Sequence, residues 1–277
     1  MNNVPTVACI NDLSGYGRCS LSTAIPILSV CGVQPCAAPT AVFSKHTGFP
    51  DFHFTDLSDS LDSFFSSWDD LIFDGVYTGF LGSYLQIDVV HKFIESHKES
   101  QAKPPLVIVD TVMGDNGKLY STYNQQMCNC LKKLVSVADV ITPNVTEACF
   151  LTNTKYVGDS ISETQCKYLT ERLTEMGAKS VVVTGIRRDE SVLNYVCQNN
   201  ACDIYEVHRV NRIFSGTGDL FASVLTAMLV KGKSLSEAVI IAGDFICKAT
   251  QYTLSISKDY FEGIVFEPFL SELGVIK

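Results

Sequence analysis

The residues best placed to do chemistry are Gly216-Thr217-Gly218-Asp219, which lead directly into an apolar run that ends at Val230. Glycines permit a tight turn, and the first N–H groups of a helix lack internal partners and carry the positive end of the helix dipole. Such a turn is typical of a phosphate site. Because a carboxylate beside a phosphate is repelled by it, Asp219 is interpreted as a base that takes a proton from an attacking nucleophile. The alternative is structural, since aspartate is favoured at helix starts.

Oxygen-bearing side chains follow several other apolar, strand-like runs. They are Asp110 and Asp115 after the run 107–109, then Thr142, Asn144 and Glu147 after the run 139–141, and Thr184 after the run 180–183. Ligands of open parallel sheets bind beyond the carboxyl ends of the strands, and carboxylates suit Mg²⁺ with phosphates completing its shell. For Glu147, three residues after Asn144, a helix-capping role is at least as good an interpretation.

The elements that must position these residues alternate between short apolar runs and helical patterns. Strands are predicted at Val7–Ile10, Val33–Val42, Gly75–Tyr77, Leu106–Asp110, Asp139–Thr142 and Ser180–Thr184, and helices at Ser20–Val30, Gln86–Glu95, Glu163–Met176, Asp219–Val230 and Leu235 to about Tyr252. Continuous Val/Ile runs are typical of strands buried on both faces of a parallel sheet. Val192–Cys197 and Cys202–Val207 indicate a hairpin. We expect an α/β fold with a mostly parallel sheet and an antiparallel edge, in one domain over residues 1–277.

Composition narrows the class of protein. With 277 residues, 46% of them hydrophobic, the chain can bury one large core, and its net charge of -9 argues against nucleic-acid binding. The 11 cysteines show no Cys-x-x-Cys pair, so reduced thiols are favoured over disulfides or a metal cluster. We see no signal peptide and no apolar stretch long enough to span a bilayer, which predicts a cytoplasmic protein without membrane contact.

Taken together, four motifs resemble those of the pyridoxal (vitamin B6) kinases of the ribokinase-like superfamily. They are Phe43-Ser44-Lys45-His46-Thr47-Gly48, Asp110-Thr111-Val112-Met113-Gly114-Asp115, Ile141-Thr142-Pro143-Asn144 with Glu147, and Gly216-Thr217-Gly218-Asp219. Their order and spacing match from about Val7 to Thr250. The Gly-Thr-Gly-Asp turn alone indicates the superfamily, and the Ser-x-His-Thr-Gly loop narrows the resemblance to the B6 branch.

The resemblance implies a three-layer α/β/α sandwich that transfers the γ-phosphoryl group of Mg-ATP to the 5′-hydroxymethyl group of a pyridine. Asp219 would be the base, and the backbone of Gly216, Thr217 and Gly218 an anion hole. Asp110, Asp115, Asn144 and Thr184 would lie near the nucleotide phosphates, with Asp110 and Thr184 at a monovalent-cation (K⁺) position, and Tyr120 in a flap over ATP; Asp115, Thr142 and Glu147 would bind Mg²⁺; Asp12, Ser44, His46, Thr47 and Phe80 would line the pyridine site. A segment from about 206 to 214 would lie over the nucleotide, and the enzyme would be a homodimer.

The chain departs from the family pattern at three positions. Asp12 replaces a serine of many B6 kinases that touches the pyridine ring, Asp110-Thr111 replaces Asp-Pro, and Phe80 replaces a tyrosine. These changes concern which vitamer is preferred more than which reaction occurs.

Other classes of protein remain open from the sequence. A hydroxymethylpyrimidine kinase shares the superfamily and usually has a variant late glycine turn, so Gly-Thr-Gly-Asp argues against it moderately. A sugar kinase usually has a longer chain with a separate lid of strands. A ligand-binding member without catalysis would not need Asp219 with its full glycine turn, and a dehydrogenase would need the Gly-x-Gly-x-x-Gly pattern that fails at Ser20.

Overall fold

The computed structural model describes residues 4–208, 214–256 and 262–276. Within them the strands are β1 (Thr6–Ser14), β2 (Gln34–Phe43), β3 (Phe54–Asp56), β4 (Gly75–Thr78), β5 (Leu106–Val109), β6 (Gly114–Asp115), β7 (Lys118–Leu119), β8 (Val140–Ile141), β9 (Ser180–Arg188), β10 (Ser191–Gln198) and β11 (Ala201–His208). The helices are α1 (Ser20–Val30), α2 (Ser58–Ser66), α3 (Tyr84–Ser100), α4 (Gln125–Val137), α5 (Val145–Thr152), α6 (Glu163–Glu175), α7 (Thr217–Val230), α8 (Leu235–Ile256) and α9 (Leu270–Gly274), with a 3₁₀ turn at Glu267–Phe269.

The described strands form a nine-stranded sheet in the order β11-β10-β9-β8-β5-β4-β1-β2-β3. From β9 to β2 all neighbours pair in parallel, whereas β3 at one edge and β10 and β11 at the other are antiparallel. The short strands β6 and β7 pair separately and form a small flap, residues 114–119. The expected mostly parallel sheet with an antiparallel edge is confirmed.

Helices cover both faces of the sheet, as the unbroken apolar run of β1 predicts. Val7 and Cys9 pack into a core with α1, α7 and α8, whereas Ala8 and Ile10 pack into a second core with α2 to α6. Successive side chains of a strand point to opposite faces, so a strand covered on both faces must be apolar at every position. The result is the expected three-layer α/β/α sandwich.

One difference from the predicted elements affects the site. Strand β1 continues past Ile10 to Ser14, so Asn11 and Asp12 lie within the strand and not in a loop after it. The pairing of β1 with β2 shifts register between Asn11 and Leu13. Such bulges re-aim side chains near functional sites, and they allow a strand to carry polar residues to its carboxyl end.

The prediction that the cysteines are reduced is wrong for one pair. Cys197 and Cys202 face each other across the β10–β11 hairpin, with their Cα atoms 4.2 Å apart, and form a disulfide. Antiparallel pairing brings directly opposed residues this close, which spacing along the chain does not reveal. Cys9, Cys31 and Cys149 carry free thiols inside the fold, as predicted. None of the helices within the described ranges is long and apolar enough to cross a membrane.

Candidate active site

A cavity of about 970 Å³ opens at the carboxyl ends of the parallel strands. Of the residues predicted for the site, those that line it are Asp12, His46, Thr47, Phe80, Asp110, Asp115, Tyr120, Thr142, Asn144, Glu147, Thr184, Gly216, Thr217, Gly218 and Asp219. Ser44 lies outside this lining, because its hydroxyl accepts a hydrogen bond from the His53 backbone at 2.8 Å and closes the turn between β2 and β3. The segment 206–214, expected to lie over the nucleotide, contains residues 209–213, which are outside the described residues.

The glycine turn places the N-terminus of α7 at this cavity. Gly216 is the N-cap residue, has φ 78° and offers no side chain to the first N–H groups of the helix. A Cβ atom at Gly216 would lie 2.0 Å from the Arg18 carbonyl oxygen, so only glycine fits there. Because the cap supplies no side-chain acceptor, the turn can offer its N–H groups to an anion in the cavity.

Asp219 is the third residue of α7, and two groups from the start of the chain hold its carboxylate. The Asn11 side-chain amide donates to Asp219 Oδ1 at 3.2 Å, and the Ser20 backbone donates a second hydrogen bond. Burial raises the pKa of the Asp219 carboxyl, while the bonds from Ser20 and Asn11 and the nearby His46 ring act in the opposite direction. Both donors favour the charged form, which is the form a base needs.

Glu147 occupies the same third position in α5 but is used differently. Asn144 and Glu147 form a complete capping box, in which Glu147 Oε2 accepts from the Asn144 backbone at 2.9 Å. Met113 and Thr111 donate two more hydrogen bonds to this carboxylate, at 3.1 and 3.2 Å. The capping role anticipated for Glu147 is therefore confirmed, and the side chain still borders the cavity.

Asp110 links these two carboxylates. Its Oδ1 accepts from the Thr142 hydroxyl at 2.8 Å, and the side chain is 5% exposed. Burial, followed by repulsion from Asp219, raises its pKa to about 7. Burial and repulsion from Asp110 likewise raise the pKa of Glu147 well above its ordinary value, against the bonds that it accepts.

Asp115 begins the flap turn, and its carboxylate accepts from the backbone and the side chain of Asn116, both at 2.8 Å. Burial raises its pKa. The flap tip is fastened to the body of the protein, because the Gly117 backbone donates to the Thr146 hydroxyl at 2.9 Å. Tyr120 follows the flap and lines the cavity beside it.

Asp12 has both carboxylate oxygens occupied. Ser20 donates to Oδ1 at 2.5 Å and Ser14 to Oδ2 at 3.0 Å. Burial raises the pKa of Asp12 to about 6, with the Ser20 bond opposing the shift and Asp219 adding to it. Asp12 therefore reaches the cavity as part of a hydroxyl network and not as an unengaged ligand.

His46 is buried between two glycines. A Cβ atom at Gly17 or Gly48 would lie 2.2 or 2.7 Å from its ring, so both positions must lack side chains. The Gly48 backbone donates to His46 Nδ1 at 3.0 Å, which leaves the proton of the neutral ring on Nε2. Phe49 packs on the ring with centroids 4.7 Å apart. The loop thus holds one imidazole in one orientation at the cavity wall.

Three functional residues were missed from the sequence. Asn11 and Ser20 hold Asp219, and Arg187 is the one lysine or arginine that lines the cavity among the described residues. Arg187 pairs with Asp159 at 3.1 Å. A signal existed for Asn11 alone, since an amide directly after the apolar run Val7–Ile10 is unusual in a strand buried on both faces.

The family model for phosphomethylpyrimidine kinase matches residues 21–263. Because this match covers most of the chain, the protein belongs to the phosphomethylpyrimidine kinase family, whose members are kinases.

Individual relatives include both B6 and pyrimidine kinases. The chain is 32% identical to a pyridoxine/pyridoxal/pyridoxamine kinase of Bordetella avium, over 86% of this chain and 82% of that protein. It is 29% identical to a hydroxymethylpyrimidine/phosphomethylpyrimidine kinase of Haemophilus influenzae, over 94% and 96%. A protein of Schizosaccharomyces pombe assigned as a pyridoxal kinase is 28% identical over 68% of this chain, and the match spans just 57% of that longer relative.

Among solved structures, a protein of Bacteroides thetaiotaomicron assigned as a phosphomethylpyrimidine kinase superposes with a TM-score of 0.93 at 35% identity. The superposition covers 99% of this chain and 97% of that one, and that crystal form contains pyridoxal. The resemblance to the B6 kinases of the ribokinase-like superfamily, drawn from the four motifs, is confirmed by these matches, which also include pyrimidine kinases.

Proposed function

We propose that this kinase transfers the γ-phosphoryl group of ATP to the 5′-hydroxymethyl group of a vitamin B6 vitamer, namely pyridoxal, pyridoxine or pyridoxamine. The observation that carries the proposal is the position of Asp219. Its carboxylate lies at an uncapped helix N-terminus in a cavity, with the His46 loop in the opposite wall. A base beside an anion-binding turn is what phosphoryl transfer to a hydroxyl group requires.

In this mechanism Asp219 accepts the hydroxyl proton as the oxygen attacks the γ-phosphorus. The backbone N–H groups of Gly216, Thr217 and Gly218 hold the charge of the transferring group, because hydrogen-bond donors fixed in advance stabilise charge without reorganising. Phosphoryl transfer depends mainly on such positioning and electrostatics. His46, Thr47 and Phe80 shape the pocket for the heteroaromatic ring, and Asp12 acts on it through the network of Ser14 and Ser20.

The nucleotide is proposed to lie along the other side of the cavity. Asp110, Asn144 and Thr184 would border its phosphates, and Asp115 and Tyr120 would reach it from the flap side. Asp110 and Thr184 are also the residues for a monovalent cation such as K⁺, since both offer hard oxygen atoms.

The donor set was tested for Mg²⁺. Within the described ranges, no ion pair involves Asp110, Asp115 or Glu147, although two of these three carboxylates are almost fully buried. A carboxylate has about four lone-pair positions, so the bonds already made leave room for a cation. The residues fit, and Asp115, Thr142 and Glu147 would hold the ion. Bound Mg²⁺ would neutralise charge on the phosphates.

Hydroxymethylpyrimidine is the second candidate substrate. The matching family is defined by a pyrimidine kinase, and the Haemophilus influenzae relative matches nearly the whole chain. The pyridoxal in the crystal of the Bacteroides relative and the Ser-x-His-Thr-Gly loop favour the B6 vitamers. A non-catalytic member of the family is disfavoured by the intact turn with Asp219.

The test is a coupled ADP-release assay with Mg-ATP and, in separate reactions, pyridoxal, pyridoxine, pyridoxamine and hydroxymethylpyrimidine. We expect the highest kcat/KM with one of the three B6 vitamers. Turnover with hydroxymethylpyrimidine alone would assign the enzyme to the second candidate, and no turnover above the ATP-only background with any of the four would refute the kinase proposal.

We also propose that residues 1–277 act as one domain, in a cytoplasmic homodimer, as the resemblance to the B6 kinases implies. Light scattering of the purified protein tests the dimer, for which a mass of one chain in solution would be the contrary result.

A further inference from the structure

The position of Asn11 assigns it a role that the proposed reaction does not yet include. Asn11 is fully buried at the carboxyl end of β1, although it is polar. Its side chain makes three hydrogen bonds in addition to those of its backbone. A buried amide is tolerated only when its donors and acceptors are satisfied, and these partners show what the residue does.

The orientation of the amide is fixed by groups that can only donate. The backbone N–H groups of Asp12 and Phe80 both point at Asn11 Oδ1, at 2.9 and 2.7 Å. Since an amide nitrogen cannot accept these bonds, the oxygen must face them. The Nδ2 group therefore faces the other way, where it donates to Asp219 Oδ1 at 3.2 Å.

A glycine keeps this arrangement in place from behind. A Cβ atom at Gly79 would lie 2.2 Å from Asn11 Nδ2, which is closer than non-bonded atoms approach. Gly79 itself is tied to β1, because its N–H donates to the Ile10 carbonyl oxygen at 2.9 Å. The amide is thus held by β1, β4 and the residues that follow them, and it cannot rotate away from Asp219.

The second donor to Asp219 comes from a backbone held in a rare conformation. Ser20 begins α1 with φ 51°, in the left-handed region that non-glycine residues seldom adopt. Its hydroxyl is bonded to Asp12 at 2.5 Å, and its N–H faces Asp219. Two adjacent residues of β1 therefore act on the same carboxylate, Asn11 directly and Asp12 through Ser20.

We infer that Asn11 is a positioning residue that fixes the direction of the Asp219 carboxylate and keeps it in its charged form for proton transfer. This inference rests on the proposed role of Asp219 as the base. With Oδ1 held by Asn11, the other oxygen, Oδ2, is the one left for the substrate hydroxyl. Orientation of this kind is worth orders of magnitude in rate when the reacting atoms must meet at bonding distance.

The decisive variant is Asn11→Asp. The introduced carboxylate still accepts the bonds from Asp12 and Phe80, so the local fold keeps its acceptor, but the donor to Asp219 is replaced by an oxygen. Loss of the bond and repulsion between two carboxylates both favour the protonated form of Asp219. Because a protonated base cannot accept the hydroxyl proton, the acidic limb of the kcat–pH profile should move upward by about one pH unit or more. We expect kcat near pH 7 to fall about tenfold or more, with recovery as the pH rises and an unchanged Kd for ATP.

Other ionisable groups near Asp219 stay the same in this variant. They are Asp12 of β1, Cys19 before α1, His46 after β2, Tyr77 of β4, Asp110 after β5 and Tyr120 after the flap. A shifted limb in Asn11→Asp, compared with wild type, therefore reports the exchange at Asn11.

The matched control is Asn199→Asp, which adds the same charge at the turn of the β10–β11 hairpin. Its neighbour Gln198 pairs with Ser180 at the start of β9, whereas the cavity lies at the other end of that strand. We expect its pH profile to match the wild-type profile.

Gly79→Ala is the second test, because it displaces the amide without changing Asn11. It should move the pH limb in the same direction, and it decides the question if Asn11→Asp does not fold. Wild-type kcat and an unshifted limb in either folded variant would overturn the inference. Asp219→Asn separates the two proposals: if it keeps wild-type kcat, the proposed base is wrong, and if it is inactive while Asn11→Asp keeps the wild-type profile, only the role of Asn11 is wrong.

Discussion

Helices α5 and α7 both carry an acidic residue at their third position, yet they use it in opposite ways. In α5, Asn144 caps the helix and Glu147 bonds back to the cap, so the helix start satisfies itself. In α7 the cap is Gly216, which has no side chain, and Asp219 turns instead to Asn11 on a distant strand. Removing one capping side chain thus makes both the N–H groups and the acidic residue available for a ligand.

The same contrast extends to exposure and hydrogen bonding. Glu147 is 4% exposed and accepts bonds from three different residues, whereas Asp219 is half-buried and borders the cavity. An acidic residue at the start of a helix is therefore not in itself a sign of catalysis. The residue at the cap decides which role it takes.

The largest expected effect is that of Asp219→Asn. If Asp219 is the base, kcat falls by about 10²–10⁴ because no group accepts the hydroxyl proton. ATP binding stays close to wild type, as measured by titration calorimetry. The matched control is Glu237→Gln, since Glu237 accepts from the Ser234 backbone at 2.9 Å in the same kind of cap at the start of α8, away from the cavity. Near-wild-type kcat in Asp219→Asn would show that the two N-terminal acids do not differ in role.

Gly216→Ala should have the next largest effect. The added Cβ meets the Arg18 carbonyl oxygen at 2.0 Å, and the left-handed φ disfavours a side chain, so the turn must move away from its N–H geometry. We expect kcat to fall by about 10²–10³, the cost of losing a donor to the transferring group. Gly232→Ala is the control, because Gly232 has φ 89° with no atom near its Cβ position. It carries the same backbone strain and should lower stability without changing kcat. Equal kcat values in the two variants would contradict the anion-hole role.

Glu147→Gln tests whether the capping acid also serves the metal. The exchange removes one charged oxygen ligand, so the Mg²⁺ concentration needed for half-maximal rate should rise severalfold, while kcat at saturating Mg²⁺ changes little. It also replaces an acceptor of the Asn144 backbone bond, so the melting temperature should fall. An unchanged Mg²⁺ titration with a lowered melting temperature would restrict Glu147 to capping.

The smallest effect concerns pH and Asp110, which lies between the two acids. Its pKa is raised to about 7 in the folded protein by burial and by Asp219, above its ordinary value of 3.8. The folded state therefore binds the proton more tightly than the unfolded chain, and the stability that this supplies is present below about pH 4 and lost as the pH rises through about 7.

In Asp110→Asn the decline of the free energy of unfolding between about pH 4 and 7 should be shallower than in wild type, measured by urea denaturation without nucleotide or metal. Asp51→Asn, on an exposed loop, is the control and should retain the wild-type slope. The same slope in all three proteins would exclude Asp110 as the source.

The sequence by itself determined the layers of the fold and most of the site. Continuous apolar runs identified the parallel strands, because a strand covered on both faces cannot carry polar side chains along its length. Glycines and acids after these runs identified the cavity, because the carboxyl ends of parallel strands meet at one edge. The capping box at Asn144 was also readable, since it depends on a spacing of three residues.

Tertiary structure alone decided which partners these residues take. The bond from Asn11 to Asp219 joins residues 208 positions apart, and the disulfide between Cys197 and Cys202 depends on the register of a hairpin. The engagement of Asp12 by Ser20 depends on a left-handed backbone that no local pattern announces. Spacing along the chain sets local structure, but the direction of a buried polar side chain is set by whichever donors the packed elements bring to it.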